Sequence, residues 1–285
     1  MVTPITLLYS ALTLVQAAQE KPYQITVEAV PVELPGWPAG AAPARVVLLS
    51  DIHARTTDAP RVQELVQTAS RLQPEAVILL GDYGRRNAPA TDMPPATLAQ
   101  RLAPLQKHCP VYYVSGNHDD AAAGSALRQA FDAQGFVFVE QQNATLTFSN
   151  GCQATLSGVP YRAEQLSTAP LKKRLTLQGE APALPLIVAS HSPWHFQTSA
   201  LPGDLIVSGH THGGQICLPG GQPIFQRGMW KHHQLRGGLH HGKRKGQQIY
   251  VSRGTGTSSI PIRLHCCPEV SLLLLTGSHQ GNTTE

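Results

Sequence analysis

The amino-acid sequence predicts an α/β fold with α+β character, on three observations. Short apolar runs rich in β-branched residues and leucine recur along the chain, as strands buried on both faces require. Segments with apolar residues at helical spacing separate the earliest of these runs. A polar loop carrying Asp, Asn or His follows five of the runs directly.

Residues 1–20 form an apolar segment in which Pro4 to Ala18 resembles a signal-peptide core and Val15-Gln16-Ala17 a small-residue cleavage site. The segment has no positive N-terminal region and is shorter than the roughly twenty residues that span a bilayer as a helix. Export to the cell envelope or a membrane-facing anchor is the expectation, with an uncleaved cytoplasmic start as the alternative. A Pro- and Gly-rich lead-in occupies 21–43, one globular domain is expected over 44–276, and a polar tail follows at 277–285.

Within that domain Arg45–Ser50 reads as a buried strand, followed by the polar loop Asp51–Ala59 and a helix over Arg61–Leu72 that aligns Val62, Leu65 and Val66. Ala76–Leu80 is a second strand, ending in Gly81-Asp82-Tyr83, and the three pieces make a βαβ unit. Ala96–Gln106 reads as helix, Val111–Val114 as strand, Ser115–Asp119 as loop and Ala121–Ala133 as helix. Phe136–Val159 alternates like antiparallel or edge strands, with a turn at Ser149-Asn150-Gly151. Leu186–Ser190 leads into His191, and Asp204–Ser208 into Gly209-His210-Thr211-His212. Late strands at Gln248–Ser252 and Val270–Leu275 are expected to close a second sheet.

A chain of 285 residues with 41% hydrophobic and 14% charged residues buries a large core, which argues against disorder; it shows no internal repeat and no heptads. Its five cysteines have neither C-x-x-C spacing nor the even count of a disulfide framework, and read as small hydrophobes. The net charge is only +4, but Leu205 to Pro268 contains no Asp or Glu and eight Lys or Arg. Such a segment attracts phosphate esters, lipid headgroups or nucleic acid; a solvated basic loop is the plainer reading.

Asp51-Ile52-His53, Gly81-Asp82, Gly116-Asn117-His118-Asp119, His191 and Gly209-His210-Thr211-His212 all sit just past the carboxyl ends of strands, where α/β sheets bind ligands. Singly, each is an ordinary turn or cap; packing needs do not explain the ordered set of five. Carboxylate, imidazole and amide ligands suit two first-row divalent cations. A pair of such cations neutralises a phosphate ester and makes hydroxide available near neutral pH. Gly81, Gly116 and Gly209 precede ligands where the backbone turns sharply.

This ordered set resembles the calcineurin-like metallophosphoesterase family, with its D-x-H, G-D, G-N-H-[ED], H and G-H-x-H blocks, from about Val46 to Leu275. Gly209–Gln215, Gly254–Thr257, Pro261–Arg263 and Pro268-Glu269 resemble the bacterial YkuE/YaeI-type phosphodiesterase branch. The resemblance implies a four-layer αββα sandwich, two mixed central sheets flanked by helices. It also implies two metal ions, Mn foremost with Fe, Zn or Ni as alternatives. By that resemblance Asp51, His53 and His212 ligate the first ion, Asn117, His191 and His210 the second, and Asp82 bridges them. His118 matches the catalytic histidine that protonates the leaving alkoxide, and Asp119 either orients that imidazole or caps the following helix. Arg85 and Arg86 are candidate phosphate contacts. His232-His233 and His240-His241 are read as solvent-facing, and Trp194 and Trp230 as core rather than channel.

The expected activity is hydrolysis of a phosphodiester or pyrophosphate by metal-bridged hydroxide. The branch includes enzymes acting on UDP-2,3-diacylglucosamine, so a lipid-linked substrate and membrane-surface association are expected of a monomer. A phosphomonoesterase or protein phosphatase with the same metals is the first alternative. A non-catalytic protein binding anionic ligands is the second, and nucleic acid is not the expected partner.

Overall fold

The computed structural model describes residues 24–85, 89–119, 125–140, 142–161, 175, 184–194, 196, 199–224, 235–258 and 260–277. The apolar segment at 1–20, Arg86, Trp230, His232-His233 and the tail beyond 277 lie outside the described residues. Among the described residues no helix is long and apolar enough to cross a membrane.

Two six-stranded mixed sheets are stacked face to face. The first contains β1 (Thr26–Leu34), β2 (Ala44–Leu49), β3 (Ala76–Leu79), β4 (Val111–Tyr113), β5 (Val137–Phe138) and β12 (Glu269–Gly277), in the order β1-β12-β2-β3-β4-β5. The second contains β6 (Ala144–Thr147), β7 (Gln153–Val159), β8 (Leu186–Ser190), β9 (Leu205–Ser208), β10 (Gly238–His241) and β11 (Gln248–Val251), in the order β10-β11-β9-β8-β7-β6. Strands β2, β3 and β4 run parallel in one sheet, and β7, β8, β9 and β11 in the other.

Side chains alternate across each strand, which is why both faces of these short runs are apolar. Val46, Leu48 and Ile78 meet Leu156, Ile187 and Val207 between the sheets, while Val47, Leu49 and Val77 face the helices. α1 (Ala59–Arg71) buries Val62, Leu65, Val66 and Ala69 on that outer face, beside α2 (Pro95–Leu102) and α3 (Ala126–Ala133). On the far side Leu175, Phe196, Leu201 and Leu235 cover Val188, Ile206 and Ile249. The cysteines are unbridged, and all but Cys267 are buried.

The structure departs from the sequence reading in three elements. Val270–Leu275 joins the first sheet, between β1 and β2, instead of closing the second; an all-apolar run announces burial but not the sheet it enters. Part of the lead-in is the edge strand β1, whose Pro31 lacks an N–H and is tolerated at an edge. Of the helix placed over Ala121–Ala133, residues 121–124 lie outside the described residues; Ala126–Ala133 is helical and is capped by Ser125, whose hydroxyl accepts the Arg128 N–H at 3.3 Å, so Asp119 is not its cap.

Candidate metal centre

The carboxyl ends of the strands of both sheets meet at one end of the stack, where the loops leaving them are joined by hydrogen bonds. Asp51 donates its N–H to the Gly81 carbonyl and His53 donates to that of Asp82, both at 3.0 Å, so pairing of β2 with β3 continues into the loops. Gly209 likewise donates to the His191 carbonyl at 3.0 Å. All seven predicted ligands, Asp51, His53, Asp82, Asn117, His191, His210 and His212, converge here.

The backbone at this edge is strained. Asp51, His53, Asp82, His210 and His212 have φ of 52°, 43°, 56°, 70° and 51°, a left-handed conformation that costs L-residues on the order of 1–2 kcal/mol each. Such outliers persist where the surrounding bonding over-determines them. Gly116 and Gly209 pack so tightly that a Cβ on the first would collide with Asp82, and on the second with Ser50 and Asp51.

His53 Nδ1 lies 2.7 Å from the Gly84 carbonyl, and His191 Nδ1 lies 2.7 Å from that of Leu80. A carbonyl only accepts, so each Nδ1 carries the proton and each Nε2 faces the cluster. His53 Nε2 is 3.2 Å from His212 Nε2 and 3.5 Å from Asp82 Oδ2. His191 Nε2 is 3.1 Å from Asn117 Oδ1, 3.1 Å from His210 Nδ1 and 3.4 Å from Asp82 Oδ1. Asp82 therefore directs one oxygen into each group.

Two sets of donor atoms result, Asp51, His53, Asp82 and His212 in one and Asp82, His191 and His210 in the other, each within 4.8 Å of one another. They fit divalent cations on a specific ground: Asp51 Oδ1 is buried, accepts no hydrogen bond, and lies 3.3 Å from His212 Nε2. A buried carboxylate oxygen without a donor is costly unless a cation satisfies it. Its other oxygen accepts from the Ser50 hydroxyl at 2.6 Å and the His210 N–H at 3.0 Å.

Burial holds His53 below the usual imidazole value and, helped by the nearby His53 and Arg263, holds His212 well below it. Burial and the adjacent His191 push His210 down to about 3. Burial would also lower His191, but the Asp82 carboxylate overrides it and raises the group to about 10. Asp82 stays well below the carboxylate range because the imidazoles of His191, His53 and His118 outweigh its burial. Neutral imidazole is the form in which histidine ligates metal, the form these shifts favour for His53, His210 and His212; at His191 a cation would take the place of the proton that Asp82 holds there.

His118 stands at the mouth. Its side chain is 20% exposed, its backbone N–H donates to Asp82 Oδ1 at 2.9 Å, and its Nε2 lies 4.0 Å from Asp82 Oδ2. Asp119 spends its carboxylate on backbone: Oδ2 accepts from Asp82 N at 2.7 Å and Gly116 N at 2.8 Å, and Oδ1 from Tyr83 N at 2.9 Å. It fastens the β3 loop to the β4 loop. Arg85 pairs with Asp92, Nε to Oδ1 at 3.0 Å, and also donates to Thr91, so its guanidinium is engaged within its own loop. His240 Nε2 donates to the Gly237 carbonyl at 3.0 Å, on the β10 edge strand.

Two residues gain weight from the structure. Trp194, read from sequence as core, places its ring 5.2 Å from that of His210. Tyr161, which the sequence did not single out, lies 5.6 Å from His210 and 5.8 Å from His191. Only its position just past β7 was a signal. A third addition is Arg263, buried behind the site, which donates to the carbonyls of Gly256 at 2.8 Å and His212 at 3.3 Å.

The model of the calcineurin-like phosphoesterase family matches residues 44–214. The chain is 28% identical over 241 residues to YpbG of Bacillus subtilis, an uncharacterized protein, covering 84% of this chain and 83% of that one. It is 28% identical over 248 residues to the phosphodiesterase YaeI of Escherichia coli, covering 82% and 83%. It is 25% identical over 312 residues to the UDP-2,3-diacylglucosamine pyrophosphatase LpxG of Chlamydia trachomatis, covering 92% of each.

Proposed function

The chain belongs to the calcineurin-like phosphoesterase family, and we propose that it hydrolyses a phosphodiester or pyrophosphate bond in an anionic, lipid-linked substrate such as UDP-2,3-diacylglucosamine. The observation that carries the hydrolase reading is the position of Asp82, one oxygen toward each of two donor sets. In this reading Asp51, His53 and His212 hold one divalent cation, Asn117, His191 and His210 hold a second, and Asp82 is shared. Mn²⁺ is the proposed metal. When bound, the ions supply charge neutralisation at the phosphoryl group and a more acidic water.

The chain's own residues do the rest. The Nδ1–H bonds of His53 and His191 to backbone carbonyls fix both rings, so their lone pairs need no reorganisation when the substrate arrives. His118, partly exposed beside the cluster, contacts the phosphoryl group and delivers a proton to the leaving alkoxide oxygen. Asp119 acts at a distance from the substrate, holding the loops that carry Asp82 and Asn117 in register.

The lipid-linked substrate rests on the likeness to LpxG and on the acid-free stretch from Leu205 to Pro268. Lys243, Arg244 and Lys245 lie in the exposed turn between β10 and β11, where they suit an anionic membrane surface. We assign the protein, as a monomer, to the membrane surface or cell envelope, with the cytoplasm as the alternative location.

Metal-free protein reconstituted with Mn²⁺ tests this on bis-p-nitrophenyl phosphate and p-nitrophenyl phosphate, beside Asp82→Asn and His118→Ala. Metal-dependent diester cleavage, reduced at least about 100-fold in both variants, is expected. Cleavage of the monoester alone would replace the diesterase reading with a phosphomonoesterase. Metal binding without turnover of either ester would move the assay to lipid pyrophosphates, and failure to bind metal would end the proposal.

A further inference from the structure

Building on the phosphoesterase reading, we infer that Tyr161 and Trp194 form an aromatic subsite that receives the organic substituent of the substrate on the His210 side of the metal centre. Tyr161 follows the end of β7 and Trp194 follows the end of β8, the same sheet edge that delivers His191 and His210. The Trp194 backbone N–H donates to the Ser192 hydroxyl at 3.4 Å, just past that edge.

Both rings are only partly buried, and among the described residues neither belongs to the three clusters of buried apolar side chains. Trp194 meets His210 edge to face, at 5.2 Å and 82°, and Tyr161 tilts over the same imidazole at 5.6 Å and 50°. Neither offers a good ligand for a divalent first-row cation. A large, partly exposed aromatic surface beside the His191 and His210 imidazoles suits an apolar or flat group on the reacting ester.

The opposite side of the centre differs. His212 has the Arg263 guanidinium 3.4 Å from its Nδ1, and Arg55 reaches Thr257 at 3.4 Å on the neighbouring loop. Behind that donor set the guanidinium is buried and spent on backbone carbonyls and His212 Nδ1, whereas aromatic rings flank the His191–His210 set, so the aryl, nucleobase or acyl-bearing portion is favoured toward His210.

The experiment uses Mn²⁺-loaded full-length protein with phenylphosphonate and methylphosphonate, titrated by calorimetry, with metal content measured on the same samples. Phenyl p-nitrophenyl phosphate and methyl p-nitrophenyl phosphate, which share a leaving group and differ only in the spectator substituent, are assayed in parallel. Wild type is expected to favour the phenyl compound in each pair on the order of ten-fold. Trp194→Ala is expected to bring that ratio near one with two metals retained, Tyr161→Leu to lower it, and Trp194→Phe to restore part of it.

Equal affinity for the two phosphonates in wild type, or no binding of either, would overturn the subsite. So would a ratio unchanged in both variants. Loss of metal together with both ligands would make the rings mere supports of His210, and the inference would fall. A phenyl preference in binding without ester turnover would instead count against the hydrolase reading and leave the subsite standing.

Discussion

Asp119 illustrates how a residue can be found for one reason and used for another. Its position after Asn117 and His118 marks it in the sequence, yet its carboxylate takes three backbone amides from two loops instead of capping the next helix. Asp119→Ala would leave those amides unpaired, and we expect a loss of about 2 kcal/mol in urea unfolding together with reduced metal content. An altered pH–rate profile with full metal loading would show instead that Asp119 works through the His118 imidazole. The convergence of the seven candidate side chains was legible because cation chemistry admits few residue types and the blocks fix their order. Tyr161 was not legible, since one tyrosine after a strand carries no spacing to read. The pairing of Arg85 with Asp92 was not legible either, since nothing in the sequence links the two residues.

At the scale of elements, the chain announces which segments are strands and helices more clearly than how strands pair. The boundaries of β2, β3, α1, β8 and β9 differ by only a residue or two from the apolar runs that predict them. The destination of β12 was hidden, because β1, its parallel neighbour, is disguised by Pro31 and by an alternating, half-exposed pattern. One side chain tying the two sheets gives a test. Glu75 accepts the Arg45 N–H at 3.1 Å, at the start of β2, and the Ser149 N–H at 2.6 Å, in the turn between β6 and β7. Its burial would raise the carboxyl, but these bonds win and hold it below the ordinary value. A depressed folded pKa stabilises above the unfolded value of about 4.3, and that stabilisation disappears as the pH falls through the folded value. Metal-free Glu75→Gln should therefore melt below wild type at pH 7, with the gap closing toward pH 3. A constant gap would mean that Glu75 contributes packing and not charge.

Across the whole molecule the centre is built from both sheets, Asp51, His53, Asp82 and Asn117 from the first and His191, His210 and His212 from the second. Ions bound there are linked to the folded state. Mn²⁺ at one hundred times its dissociation constant should raise stability by about 2.7 kcal/mol per site, read as a higher melting temperature that excess chelator reverses. No shift at saturating Mn²⁺ would mean that the unfolded chain binds the ion as well as the folded one. The acid-free stretch from Leu205 to Pro268 was legible as composition, whereas its display on the β10–β11 turn needed the sheet order.

The contact between the His210 N–H and Asp51 spans 159 residues of chain, and that between His53 and His212 spans the same distance. Contacts so remote in sequence close late in folding, after most local structure has formed. Ions that require both sheets then have little to hold in the transition state. They should slow the escape from the native state while leaving the rate of reaching it nearly unchanged. Stopped-flow chevrons with and without Mn²⁺ would display this as a lowered unfolding limb over a common folding limb, and the enzyme's endurance would be a matter of lifetime as much as of equilibrium.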